Sequence, residues 1–161
     1  MIIEIGHFAL ILAFAVACVQ SGSVVWAVIT RDEAARALAS SAAKAQFVLV
    51  AMAFAALIWA YVASDFSVLN VATNSHTAKP LVYKISGVWG NHEGSMLLWV
   101  FMLSAFGAAV AWFGNNLPLR MKSNVLAVQG LISIAFLAFI TLTSNPFLRL
   151  DPAPAQGNGL N

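Results

Sequence analysis

Charged residues divide this chain into four long uncharged runs: Ile5–Thr30, Ala45–Ser64, Gly94–Leu119 and Ser123–Leu148. The second holds 20 residues and the other three hold 26 each. At 1.5 Å per residue, about 20 helical residues cover roughly 30 Å, the hydrocarbon thickness of a bilayer. Between Gly94 and Phe113 only Ser95 and Ser104 carry polar side chains. The pattern predicts an all-α, polytopic transmembrane helical bundle with spans near 5–30, 45–64, 94–114 and 123–144. It leaves a loop over 65–93 and an irregular tail over 145–161, which is rich in Pro, Gly and Asn from Asn145-Pro146 onward.

Composition agrees with this class. Hydrophobic residues make up 61% of the 161 and charged residues only 9%, against about 25% charged in a typical soluble domain. A globule this small cannot bury that much apolar surface. The N-terminus, Met1-Ile2-Ile3-Glu4, lacks the basic opening of a cleaved signal, so the first run is expected to stay as a span. The net charge of +2 is small and scattered, and nucleic acid is not an expected partner. Cys18 stands alone in an apolar run, which excludes a disulfide framework and suits a small packing residue.

Basic residues set the expected orientation. Arg31, Arg36, Lys44, Arg120 and Lys122, five of the eight, fall in the first and third loops, which the positive-inside bias assigns to the cytoplasm. Both termini and the 65–93 loop are then expected on the outer, periplasmic side. In the first loop Thr30 is a candidate cap, and Asp32–Ala39 has helical composition that either extends a span or makes a short turn. The second loop mixes apolar and hydrogen-bonding residues and is expected to lie along the interface or fold back on the helices.

Candidate chemistry gathers at the mouth of the third span, Gly87-Val88-Trp89-Gly90-Asn91-His92-Glu93-Gly94-Ser95-Met96-Leu97-Leu98-Trp99. His92, Met96 and Trp99 share a helical face, and Trp89, Glu93 and Leu97 share the adjacent one. Gly90 and Gly94 offer a notch for another helix, a lipid or a flat ligand. Such a face suits a porphyrin or quinone; it equally suits a neighbouring helix, or an interfacial belt anchored by Trp89 and Trp99. Imidazole is a common haem ligand, and His7, His76 and His92 all fall on the expected outer side, though without metal-ligand spacing. No catalytic triad, phosphate loop, zinc pattern or haem-attachment Cys pair is present. Ionisable groups are missing from the middle of all four spans, which argues against a self-contained ion transporter.

Asp65-Phe66-Ser67-Val68, Val71-Ala72-Thr73-Asn74-Ser75, Lys79-Pro80-Leu81-Val82-Tyr83-Lys84 and above all Trp89-Gly90-Asn91-His92-Glu93-Gly94-Ser95-Met96-Leu97-Leu98-Trp99 resemble the N-terminal region of the CcmF-type cytochrome c haem lyases. Glu4-Ile5-Gly6, Thr143-Ser144-Asn145-Pro146-Phe147 and Gly159-Leu160-Asn161 are similar to that family too. The resemblance implies a multi-pass protein of the bacterial inner membrane, or of the mitochondrial inner membrane if organellar. It implies haem as cofactor, received from a periplasmic haem chaperone and attached to apocytochrome c, with further lyase segments or subunits and membrane lipid as partners. The family's Trp-rich haem-handling motif and main haem ligands lie beyond Asn161. The chain is therefore expected to be an N-terminal piece, truncated or split, that is not a competent lyase alone. Trp89, His92, Glu93, Met96 and Trp99, with His76, are the candidate haem or partner surface; catalytic residues are not assigned. The alternative is a non-catalytic structural or binding subunit of a respiratory or transport membrane complex.

Overall fold

Helix α1 (Ile2–Thr30) runs antiparallel to α2 (Glu33–Ala63), and this pair makes the most extensive contact in the molecule. Two short helices follow, α3 (Leu69–Asn74) and α4 (Leu81–Gly87), then the long α5 (His92–Phe113) and α6 (Leu119–Leu142), joined by a 3-10 turn at Gly114–Asn116. The structure is a computed structural model and describes residues 1–159; Leu160 and Asn161, part of the resemblance and of the tail, lie outside the described residues. The four long helices are each apolar and long enough to cross a membrane.

Small residues let these helices close on one another. Ala9, Ala13 and Ala17 of α1 meet a face of α2 that carries Ala53, Ala56 and Ala60, all buried. A Cβ at Gly6 would come within 2.6 Å of the Ala56 Cβ. Without a hydrophobic drive between helices in lipid, such close backbone contact supplies the attraction. Leu10, Val50, Leu57, Leu97, Val100, Leu137 and Ile140 complete the main core. Phe8, Val25, Trp26, Phe106, Phe113 and Leu142 point outward, the surface a bilayer would cover.

The first loop is shorter than the charge pattern suggested. Arg31 takes a left-handed conformation (φ 59°) and ends α1, and α2 already begins at Glu33. Thr30 is not the cap: it is still inside α1, so its hydroxyl donates back to the Trp26 carbonyl at 2.9 Å. Asp32 caps α2 instead, accepting from the Ala34 and Ala35 amides at 2.9 and 3.4 Å. Cys18 is exposed on α1 rather than packed.

A polar layer crosses the bundle between the main core and a smaller cluster of Val24, Ala39, Ala43, Ala111 and Leu126. The Gln20 amide donates to Gln129 Oε1 at 2.5 Å and to the Leu126 carbonyl at 2.7 Å. Ser21 donates to the Ala127 carbonyl at 2.9 Å. Gly107 and Gly130 make room for these side chains, since a Cβ at either would meet Gln129 or Ser21 at 2.6 Å.

Candidate functional site

At the other end of the bundle the second loop folds back on the helices. Val68, Val71 and Ala72 are buried there, and Tyr61, at the end of α2, is fully buried beneath them. Its hydroxyl donates to Asn70 Oδ1 at 2.6 Å. Asn70 Nδ2 donates to Asn91 Oδ1 at 2.8 Å, and Asn91 Nδ2 donates back to the Tyr61 hydroxyl at 2.9 Å. The three side chains close a ring of hydrogen bonds that ties α2, α3 and the start of α5 together. Asn91 also caps α5, accepting from the Gly94 amide at 2.8 Å, and its amide reaches the Gly87 and Val88 carbonyls at 3.1 and 3.2 Å. Closed rings of this kind satisfy each member and fix one geometry.

The six candidate residues are divided by this arrangement. Glu93 turns toward the ring, accepting from Asn70 Nδ2 at 3.3 Å, and borders a small cavity of about 160 Å³ with Leu69, Thr73 and Asn145. His92 turns the other way. Its Nδ1 lies 2.8 Å from Ser144 Oγ, and its ring meets Phe139 edge-on at 6.0 Å. With Met96, Ala135, Phe136 and Phe139 it lines an apolar surface groove of about 310 Å³ between α5 and α6. So His92 and Met96 meet in one place. Trp89 and Trp99 do not join them; both are exposed, Trp99 at 67%. His76 stays in the loop, its Nδ1 accepting from the Ala78 amide at 3.1 Å. His7 is elsewhere again, beside Asn145 at 3.3 Å and stacked on Phe147. A larger cavity of about 620 Å³, between Thr73, Lys79, Tyr83 and Gly90, touches none of the six.

Gly94 does not offer a notch to a partner. A Cβ there would run into the Val88 carbonyl oxygen, with the Val88 carbonyl carbon at 2.8 Å, so the chain's own turn fills the space. At Gly90 the nearest atom to such a Cβ is 3.6 Å away, an ordinary contact.

The tail is irregular in form yet held in place. The Leu69 amide donates to the Leu148 carbonyl and the Leu150 amide to the Ser67 carbonyl, both at 2.8 Å. Arg149 pairs with Glu4, and with Asp65 at 3.4 Å. The Asn158 amide donates to the Ala72 carbonyl at 2.8 Å.

Relatives are similar over this same ground. The family profile described as "Cytochrome C assembly protein" matches residues 89–160, from Trp89 through α5, α6 and the tail. The cytochrome c-type biogenesis protein CycK of Rhizobium meliloti (strain 1021) is 58% identical over 161 residues, which is 100% of this chain and 24% of that protein. The cytochrome c-type biogenesis protein CcmF of Escherichia coli (strain K12) is 44% identical over 164 residues, again 100% of this chain and 25% of the relative.

This chain belongs to the CcmF-type cytochrome c biogenesis family.

A solved structure titled "Cytochrome c Heme Lyase CcmF" has the same arrangement of helices, with a TM-score of 0.85 and 28% identity over 91% of this chain and 25% of that one. The chain thus spans about a quarter of the length of the relatives it matches, corresponding to their N-terminal part. With its four long apolar helices it is a multi-pass membrane protein of that family. Tyr61 and Asn70 escaped the sequence reading, and Ser144 entered it only within Thr143–Phe147, with no role assigned. Asn91 carried a local signal, as a good N-cap residue three positions before Gly94.

Proposed function

We propose that this chain serves as a membrane segment of a cytochrome c haem lyase, and that its His92–Met96 groove meets haem or the haem-handling helices of the rest of the lyase. The observation that carries the reading is the state of His92. Ser144 occupies Nδ1, which orients the ring, while among the described residues no hydrogen bond is made to Nε2. An imidazole held by one nitrogen and open at the other is the usual form of a histidine ligand. Met96, Phe136 and Phe139 supply an apolar wall beside it. The groove lies on the surface of α5 and α6 and offers one wall and one imidazole. That fits one face of a porphyrin; the opposite face would need another part of the lyase.

In the reaction, haem supplies the vinyl groups across which cysteine S–H bonds add to give thioethers. The periplasmic haem chaperone and apocytochrome c are the partners on this reading, and membrane lipid surrounds the spans. Both termini and the 65–93 loop face the periplasm. For Trp89 and Trp99, outward exposure supports the interfacial-anchor reading instead. Glu93 and Asn91 hold the loop, not the ligand.

The test is His92→Ala beside Ser144→Ala in cells that depend on the protein for cytochrome c maturation. His92→Ala should insert at wild-type levels and lower covalently bound cytochrome c haem at least tenfold. Ser144→Ala should give a smaller loss, since the ring keeps its nitrogen and loses only its orientation. Wild-type maturation by His92→Ala would return the motif to a belt or packing role.

A further inference from the structure

The end of the bundle opposite the motif carries a second cavity, of about 370 Å³, lined by Ala27, Val28, Arg31, Glu33, Arg36 and Arg120. Three guanidinium groups face one carboxylate. Glu33 Oε1 lies 4.0 Å from Arg36 Nε and 3.9 Å from Arg120, at the limit of an ion pair, so the lining is left with a surplus of two positive charges. The Arg36 side chain is only 10% exposed. It is held from behind by the Ser123 hydroxyl at 3.3 Å and Asn124 Oδ1 at 3.5 Å. Arg31, the left-handed residue that ends α1 (φ 59°), lines the cavity as well. The α2 N-terminus is not the attraction, because Asp32 already takes the Ala34 and Ala35 amides.

We infer that this cleft is a binding site for the phosphate of an anionic phospholipid headgroup. Planar guanidinium forks match phosphate oxygens two at a time, and basic pockets between spanning helices take such headgroups. A free phosphate would satisfy the same arginines. The lipid is favoured by the surroundings: the cavity itself is polar, but Val25, Val28, Ile29 and Leu119, on the helix ends that border it, are exposed, where acyl chains would lie. The inference is independent of which side of the membrane this end faces.

Native mass spectrometry of the purified protein in mild detergent tests it, with phosphatidylglycerol, phosphatidylcholine and inorganic phosphate added separately. Phosphatidylglycerol should be retained about tenfold better than phosphatidylcholine. Arg31→Gln and Arg120→Gln remove exposed side chains outside the packed core. Each should weaken phosphatidylglycerol binding about fivefold, while Arg149→Gln at the far end should change nothing. Phosphatidylglycerol should also raise the melting temperature of the wild type more than that of the double variant. Equal retention of the two lipids, unchanged binding by the double variant, or inorganic phosphate bound as tightly as phosphatidylglycerol would each overturn the assignment.

Discussion

Asn91→Ala should be among the most damaging single truncations at the motif end. The side chain makes the α5 N-cap bond to the Gly94 amide at 2.8 Å, whose loss costs about 1 kcal/mol. It also takes the Asn70 amide at 2.8 Å and donates to the buried Tyr61 hydroxyl at 2.9 Å; each net hydrogen bond is worth about 1 kcal/mol. Tyr61 would keep its bond to Asn70, and Asn70 its weaker one to Glu93 at 3.3 Å, so neither is wholly stranded. The total is about 3 kcal/mol. Tyr61→Phe removes two bonds, the one to Asn70 Oδ1 and the one from Asn91 Nδ2, leaves the Asn91 amide with the Gly87 and Val88 carbonyls, and should cost about 2 kcal/mol. Unfolding of the purified protein in mixed detergent micelles, followed by tryptophan fluorescence, measures both. Proteolysis of the 64–91 segment should speed up in the same order. If Asn91→Ala lies within about 0.5 kcal/mol of wild type, or costs less than Tyr61→Phe, the ring does not hold the loop and the reasoning fails.

Gly94→Ala should destabilise the protein by about 2 kcal/mol through overpacking against Val88, whereas Gly90→Ala should be tolerated; equal effects in a thermal melt would contradict the packing described. In the polar layer, Gln129→Leu strands part of the Gln20 amide and should cost about 1 kcal/mol. Adding Gln20→Leu should cost less than the sum, and strict additivity in a double-mutant cycle would deny the contact. A periplasm-active reporter joined after Asn161 should be active if both termini lie outside, and activity of a cytoplasmic reporter there would reverse the orientation.

The class of protein and the place of the interesting end were legible in the chain itself. Four uncharged stretches long enough to span a bilayer leave few alternatives, because backbone polar groups in lipid must be paired within the segment. Trp89–Trp99 stood out by its ionisable residues at the mouth of a span. What each motif residue faces was not legible. Lipid and helix neighbours are both apolar, so a spanning helix shows no polar stripe to say which side packs. That is why Cys18, taken as a packing residue, proved exposed, and why Gly94 proved to be filled by its own chain.

Long-range partners decided the rest. Tyr61, Asn70 and Asn91 meet across α2, α3 and α5, and Ser144 reaches His92 from beyond α6. None of these pairs has a spacing that a sequence pattern records. The start of α2 at Glu33 likewise depended on Arg31 adopting a left-handed turn, which handed the cap from Thr30 to Asp32. The sequence by itself determined that the chain would span a membrane and where its polar groups would cluster. Only packing in three dimensions decided that Glu93 and Asn91 turn inward to hold the loop while His92 turns outward with no hydrogen bond to Nε2 among the described residues, because that choice is made by contacts between helices distant in the chain.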